Sequence, residues 1–177
     1  MIKSISVIIP SYNEEENIKE LYERIIKVLD EININDYEII FIENGSSDKS
    51  LDILKNINSL NNKVKIVSFS RNFGYQNAIL AGLEYSKKDH ACILDGDLQD
   101  PPEIIKDLVL KADDGFDVVY GVRKKREATF FKKIGYKLFY FVYQKLSEIS
   151  VPKEVGEFCL LNRKVINHLI KLREKNL

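Results

Sequence analysis

A doubly wound α/β fold, with a mainly parallel sheet flanked by helices, is the architecture this sequence predicts, and three observations lead there. Short β-branched runs alternate with longer segments whose apolar residues recur at three- and four-residue spacing. The strand runs are too apolar to leave one face in water, the pattern of a sheet covered on both sides. The 177 residues suit one domain with a sizeable core.

The first strand is Ile5 to Ile9, which ends at Pro10 without a cleavage-site pattern, so secretion is not supported. Ile18, Leu21, Tyr22, Ile25, Leu29 and Ile32 then make one apolar stripe on a helix. Tyr37 to Ile42 is the second strand, followed by an Asn44-Gly45 turn with Ser46 or Ser47 able to cap the next helix. Val64 to Phe69 is the third, and the helix beyond it carries Gly74, Ala78, Ala81 and Gly82, small residues that allow close approach to the sheet. Ala91 to Leu94 is the fourth. Asp100-Pro101-Pro102-Glu103 predicts a helix start with Asp100 as N-cap and Glu103 in capping-box position, turning Ile104, Ile105, Leu108 and Val109 inward. Phe116 to Tyr120 is the fifth strand, and a last helix opens at Asn162-Arg163-Lys164-Val165.

Lys and Arg total 27, as do Asp and Glu, so no global field draws the molecule to nucleic acid. Cys92 and Cys159 match no zinc or redox spacing, and with only His90 and His168 as partners a Cys/His metal site is not expected. No apolar run approaches the ~18 residues of a membrane span.

In doubly wound sheets ligands bind beyond the carboxyl ends of the strands. After the first strand, Pro10-Ser11-Tyr12-Asn13-Glu14 reads either as a turn into an acidic helix start or as a site in which Tyr12 lies against a base and Glu14 accepts from a ribose or base donor. After the fourth, Asp95-Gly96-Asp97-Leu98-Gln99 sets two carboxylates one residue apart beside the buried run Cys92-Ile93-Leu94. Their repulsion and desolvation call for a cation or for donors between them. A hard divalent ion, Mg2+ or Mn2+, suits such oxygens together with an amide such as that of Gln99.

Pro10-Ser11-Tyr12-Asn13-Glu14, Gly45-Ser46-Ser47-Asp48, Arg71-Asn72-Phe73-Gly74 and Asp95-Gly96-Asp97-Leu98-Gln99-Asp100-Pro101-Pro102-Glu103 together resemble glycosyltransferase family 2, which has the GT-A fold. With Gly156-Glu157-Phe158 they look most like the polyprenyl-phosphate hexosyltransferases, over roughly residues 4 to 172. The resemblance implies that Pro10, Tyr12, Glu14, Asn44, Asp95 and Gly96 bind the nucleotide. It makes Asp97, Gln99 and Asp95 the metal ligands, Asp97 and Glu157 the catalytic pair, and Arg123 and Arg126 the holders of the acceptor phosphate. Residues 1–122 become the nucleotide-sugar core and 123–177 the acceptor and membrane-interface part of the same domain.

Two segments depart from the family pattern. Asn44 stands where Asp is usual, and its one acceptor and one donor suit the N3 hydrogen and O4 of uracil, hence a UDP-sugar. Gly156-Glu157-Phe158-Cys159 stands where Gly-Asp-Phe-Arg is usual. A phosphate acceptor is already largely dianionic at neutral pH, so Glu157 can orient it without removing a proton.

From Arg123-Lys124-Lys125-Arg126 to Tyr143-Gln144-Lys145, cations and rings interleave at helical spacing. The pattern suits a helix in the membrane interface, or a buried helix or dimer face with snorkelling lysines. The expectation is thus a metal-dependent inverting hexosyltransferase, using a nucleotide diphosphate sugar and a polyprenyl phosphate on the cytoplasmic membrane face. Attachment is peripheral, or by an anchor in a longer native chain, and self-association is left open. The alternatives are a family member acting on a sugar hydroxyl and a nucleotide-sugar-binding module without turnover.

Overall fold

The computed structural model describes residues 2–122 and 155–172, with the side chains of 155–157 outside that description. The chain divides into two compact units, residues 1–120 with 157–177 and residues 121–156, and the helices among the described residues and the cleft belong to the first. Its elements are β1 (Ser4–Ser11), α1 (Ile18–Glu31), β2 (Asp36–Glu43), α2 (Ser50–Leu60), β3 (Val64–Ser68), α3 (Tyr75–Tyr85) and β4 (His90–Ile93). After them come a 3-10 turn (Pro102–Ile104), α4 (Ile105–Asp113), β5 (Val118–Val122), β6 (Val155–Asn162) and α5 (Arg163–Leu172). Among the described residues no helix is long and apolar enough to cross a membrane.

The sheet runs in the order β3-β2-β1-β4-β6-β5. β1 pairs in parallel with β2 and β4, and β2 with β3, whereas β6 joins β4 antiparallel. Alternation divides the side chains between two cores. Ile5, Val7, Ile9, Ile39, Phe41, Cys92 and Leu94 face α1, α2 and α4; Ile8, Ile40, Ile42, Ala91 and Ile93 face α3 and α5. The apolar stripe expected on α1 is buried at Ile18, Leu21, Ile25 and Leu29, and α4 buries Ile105, Leu108 and Val109. Cys92 pairs with Leu160 and Cys159 with Ile93, so the two thiols face opposite sides of the sheet and both are free.

Gly82 explains how α3 sits on the central strand. A Cβ there would lie 2.2 Å from Cγ2 of Ile8, so only hydrogen fits. The small residues of α3 thus serve close packing on the sheet.

Three expectations need correction. The helix after the fourth strand starts as a 3-10 turn at Pro102, with Pro101 in extended backbone and no side-chain cap there, so Asp100 is not its N-cap. Glu103 gives its carboxylate to Arg24 of α1, accepting from Nε at 2.9 Å and Nη2 at 2.6 Å. Ser46 and Ser47 do not cap α2; Asp48 does the local work by accepting the Ser50 N–H at 2.9 Å. The segment around Phe158 is a strand, one the sequence pattern alone did not announce.

Candidate active site

β1, β2 and β4 run parallel, so their carboxyl ends share one edge, and the winding reverses between β1 and β4. That is where such sheets bind ligands. An open cleft of about 310 Å³ lies there. The end of β1 contributes Pro10, Ser11, Tyr12 and Glu14, and the end of β2 contributes Asn44. Asn72 and Tyr75 come from the entry to α3, and Asp95, Gly96 and Asp97 from the end of β4.

Four loops are tied into a ring around this cleft. Asn13 takes the left-handed conformation, φ 56°, which asparagine tolerates. Its N–H donates to Ser46 Oγ at 3.0 Å and its Oδ1 accepts the Ser47 N–H at 2.9 Å. The N–H groups of Glu14 and Glu15 donate to Ser50 Oγ and Asp48 Oδ2 at 2.9 and 3.1 Å, and Glu15 Oε2 accepts from the Lys49 N–H at 2.9 Å. Burial pushes the Asp48 carboxyl up, but the bonds it accepts from the Ser50 hydroxyl and from the N–H groups of Ser50 and Glu15 outweigh that and hold it below the usual carboxylate range.

The second loop locks to the third through Asn44, which is 4% exposed. Its Nδ2 donates to Asn72 Oδ1 at 3.2 Å and its Oδ1 accepts the Phe73 N–H at 2.9 Å. Gly45, at φ 73°, lies so close that a Cβ would stand 2.5 Å from the Arg71 backbone. Tyr75 carries the chain of contacts to the fourth loop by donating its hydroxyl to Asp95 Oδ1 at 2.5 Å. Gly96 completes the circuit, since a Cβ there would lie 3.0 Å from the Pro10 carbonyl oxygen and 3.3 Å from Ser11 Oγ.

Asp95 and Asp97 therefore stand on one wall of the cleft, separated by a glycine that fits against the first loop. Asp97 Oδ1 accepts the Gln99 N–H at 3.0 Å. Leu98, between them, holds φ 58°, an unusual conformation for a leucine, and packs its side chain on the core. Glu14 accepts from Asn17 Nδ2 at 2.6 Å, and the Tyr12 ring is 45% exposed, with area for a planar ligand.

Of the expected residues, Pro10, Tyr12, Glu14, Asn44, Asp95, Gly96 and Asp97 meet at the cleft. Gln99 is exposed beside it and does not line it. Arg123, Arg126 and the basic aromatic stretch lie outside the described residues, and Glu157 is placed by its backbone alone, in β6. Among the described residues no three or more His, Cys, Asp or Glu side chains gather as a metal cluster. The Asp95 and Asp97 pair is an oxygen-only donor set, which fits a hard cation that completes its shell with water and phosphate. Asn72, quoted above only within the Arg71-Asn72-Phe73-Gly74 motif, and Tyr75 are cleft residues that the sequence reading gave no role. Their position just beyond the third strand is a signal that could have found them.

The sequence matches Glycosyl transferase family 2 over residues 6–170. It is 43% identical over 172 residues to an uncharacterized glycosyltransferase, YkcC, of Bacillus subtilis (strain 168), covering 97% of this chain and 53% of that protein. It is 37% identical over 170 residues to the undecaprenyl-phosphate 4-deoxy-4-formamido-L-arabinose transferase of Enterobacter sp. (strain 638), covering 96% and 50%. The chain thus spans about half the length of the curated relatives it matches. Mannosyltransferase PcManGT from Pyrobaculum calidifontis, solved with GDP-Man and Mn2+, superposes with a TM-score of 0.65 at 20% identity, over 93% of this chain and 46% of that one. Glucosyl-3-phosphoglycerate synthase from Mycobacterium tuberculosis, solved with Mn2+, UDP and phosphoglyceric acid, gives 0.64 at 20% identity, over 92% and 57%. The fold shared with these two structures is the GT-A fold.

Proposed function

Since the chain belongs to glycosyl transferase family 2, we propose that it moves a hexose from a nucleotide diphosphate sugar, UDP-glucose or a related donor, to a polyprenyl phosphate, inverting the anomeric carbon. The observation that carries this reading is the Asp95 and Asp97 pair on the wall of a cleft that also presents Pro10, Tyr12, Glu14 and Asn44. A relative at 37% identity named for an undecaprenyl-phosphate substrate supports the lipid-linked acceptor.

In this reading the Tyr12 ring lies against the base and Glu14 accepts a hydrogen bond from ribose or base. Asn44 spends one lone pair on the Phe73 N–H and one hydrogen on Asn72. An amide has two of each, so one acceptor and one donor remain, the complement of the N3 hydrogen and O4 of uracil. Asp95 and the Gly96 backbone border the nucleotide, and Asp97, with Asp95 and Gln99, would hold Mg2+ or Mn2+. Such an ion, when bound, supplies charge neutralisation for the departing diphosphate. Arg123 and Arg126 bind the acceptor phosphate at the membrane surface, on its cytoplasmic side. Glu157 orients that phosphate, which at a second pKa of about 6 needs no base. Attack opposite the leaving group inverts the centre in one displacement.

The test is incubation with UDP- and GDP-sugars, manganese and a short polyprenyl phosphate, with mass spectrometry of the organic phase. A hexosyl polyprenyl phosphate formed from a UDP-sugar is expected. Transfer only to a water-soluble hydroxyl acceptor overturns the acceptor, and product from GDP-sugars alone overturns the reading of Asn44.

A further inference from the structure

We propose that Tyr75 is a positioning residue of the donor site, acting by holding the Asp95 carboxylate. Tyr75 is the first residue of α3, half-buried, and its hydroxyl donates to Asp95 Oδ1 at 2.5 Å across the cleft both residues line. The bond joins two elements that have no sequence-local reason to stay together. It is also a bond from a hydroxyl to a carboxylate, and bonds of that type are short and strong.

Its effect on the site follows from geometry. A carboxylate at the end of a short strand can turn about its Cα–Cβ and Cβ–Cγ bonds. One oxygen engaged by a phenol fixes the plane, so the other oxygen keeps a set direction towards the ligand. The backbone around it is held independently: Gly96 fits against Pro10 and Ser11, and Leu98 packs into the core. Removing the hydroxyl therefore takes away this restraint on the Asp95 carboxylate without releasing the loop. Groups that orient a ligating or binding side chain in this way typically govern 10- to 100-fold in affinity.

The inference rests on the nucleotide-sugar reading of the cleft, and its test separates the two. UDP is titrated calorimetrically, with manganese, into the full chain, Tyr75→Phe, Asp95→Ala and the double variant, with a thermal melt of each. Tyr75→Phe keeps the ring and its packing, so its melting temperature is expected to stay that of the parent while its Kd for UDP rises about tenfold or more. The same hydroxyl deletion made in the Asp95→Ala background is expected to change Kd no further, since the carboxylate it positions is already gone. Parental affinity in Tyr75→Phe, or an equal loss in both backgrounds, overturns the positioning role. If Tyr75→Phe melts lower, the comparison in the Asp95→Ala background still decides, because a general loss of packing weakens binding in both. A parent chain that binds no UDP removes the donor-site reading and this inference with it.

Discussion

At Asp97 charge and hydrogen bonding can be separated. The carboxylate accepts the Gln99 N–H through Oδ1, a contact that an asparagine oxygen can also make. Asp97→Asn should therefore leave the melting temperature unchanged while lowering manganese-dependent transfer about a hundredfold or more, since it removes charge aimed at the reaction. Radiolabelled transfer from UDP-sugar, measured beside a thermal melt, checks both halves; a variant with parental turnover removes Asp97 from the reaction. Asn44 shows what chemical type conveys at this scale and what it omits. Its donor and acceptor are evident from the residue name, but its bonds to Asn72 and Phe73 come from loops 28 and 29 residues away.

Elements set where these residues stand, and two glycines show two different constraints on them. Gly82 gives α3 contact with Ile8, which is fully buried in the central strand, so Gly82→Ala must displace packed atoms. The expected cost is about 1–3 kcal/mol from overpacking, reduced by up to about 1 kcal/mol of helix propensity, and read as a midpoint shift in urea. Gly45 is a loop residue with positive φ and the Arg71 backbone 2.5 Å from its would-be Cβ. Gly45→Ala should weaken UDP binding because it parts the second loop from the third. Equal affinities for UDP in the parent and Gly45→Ala would show that the ring of loops does not shape the site. The small residues of α3 were legible as a packing device, and the apolar stripes of α1 and α4 as core. The start of α4 was not: the Pro-Pro pair and Glu103 look like a capping box, but a salt bridge to Arg24 on another helix takes that carboxylate.

At the scale of the whole molecule, stability should fall on acidification in two stages. Burial pushes the His90 imidazole below its ordinary value near 6.5, and its Nδ1 is buried without a hydrogen-bond partner among the described residues. Below pH 6.5 the unfolded chain binds a proton that the native state resists, so unfolding becomes easier from there downward. Glu38, 3% exposed, belongs to the second stage. Burial pushes it up, but bonds from Lys65, from Ser6 Oγ at 2.7 Å and from the Lys87 N–H at 2.6 Å prevail and hold its carboxyl below the usual range. Its contribution is present above the unfolded carboxylate pKa and is lost as pH falls towards the depressed native value. Urea unfolding from pH 8 to 4 should show both slopes, and His90→Leu should flatten the first. An unchanged unfolding free energy between pH 7 and 5.5 in the parent would contradict the assignment to His90.

The sequence by itself determined the α/β alternation, the parallel core strands, the two covered faces and the presence of Asp95, Asp97, Asn44, Tyr12 and Glu14 at strand ends. These follow from local periodicity and from chain direction, which put every residue after a parallel strand on one edge. Only the tertiary structure decided that β6 enters the sheet antiparallel beside β4, that Asn13 and Asp48 tie the first two loops together, and that Tyr75 reaches Asp95. Such pairings join residues 20 to 72 positions apart, and the hydrogen bonds that make them are available to many partners in the same sequence. Which partner is chosen depends on where packing of the two hydrophobic cores brings the backbones together.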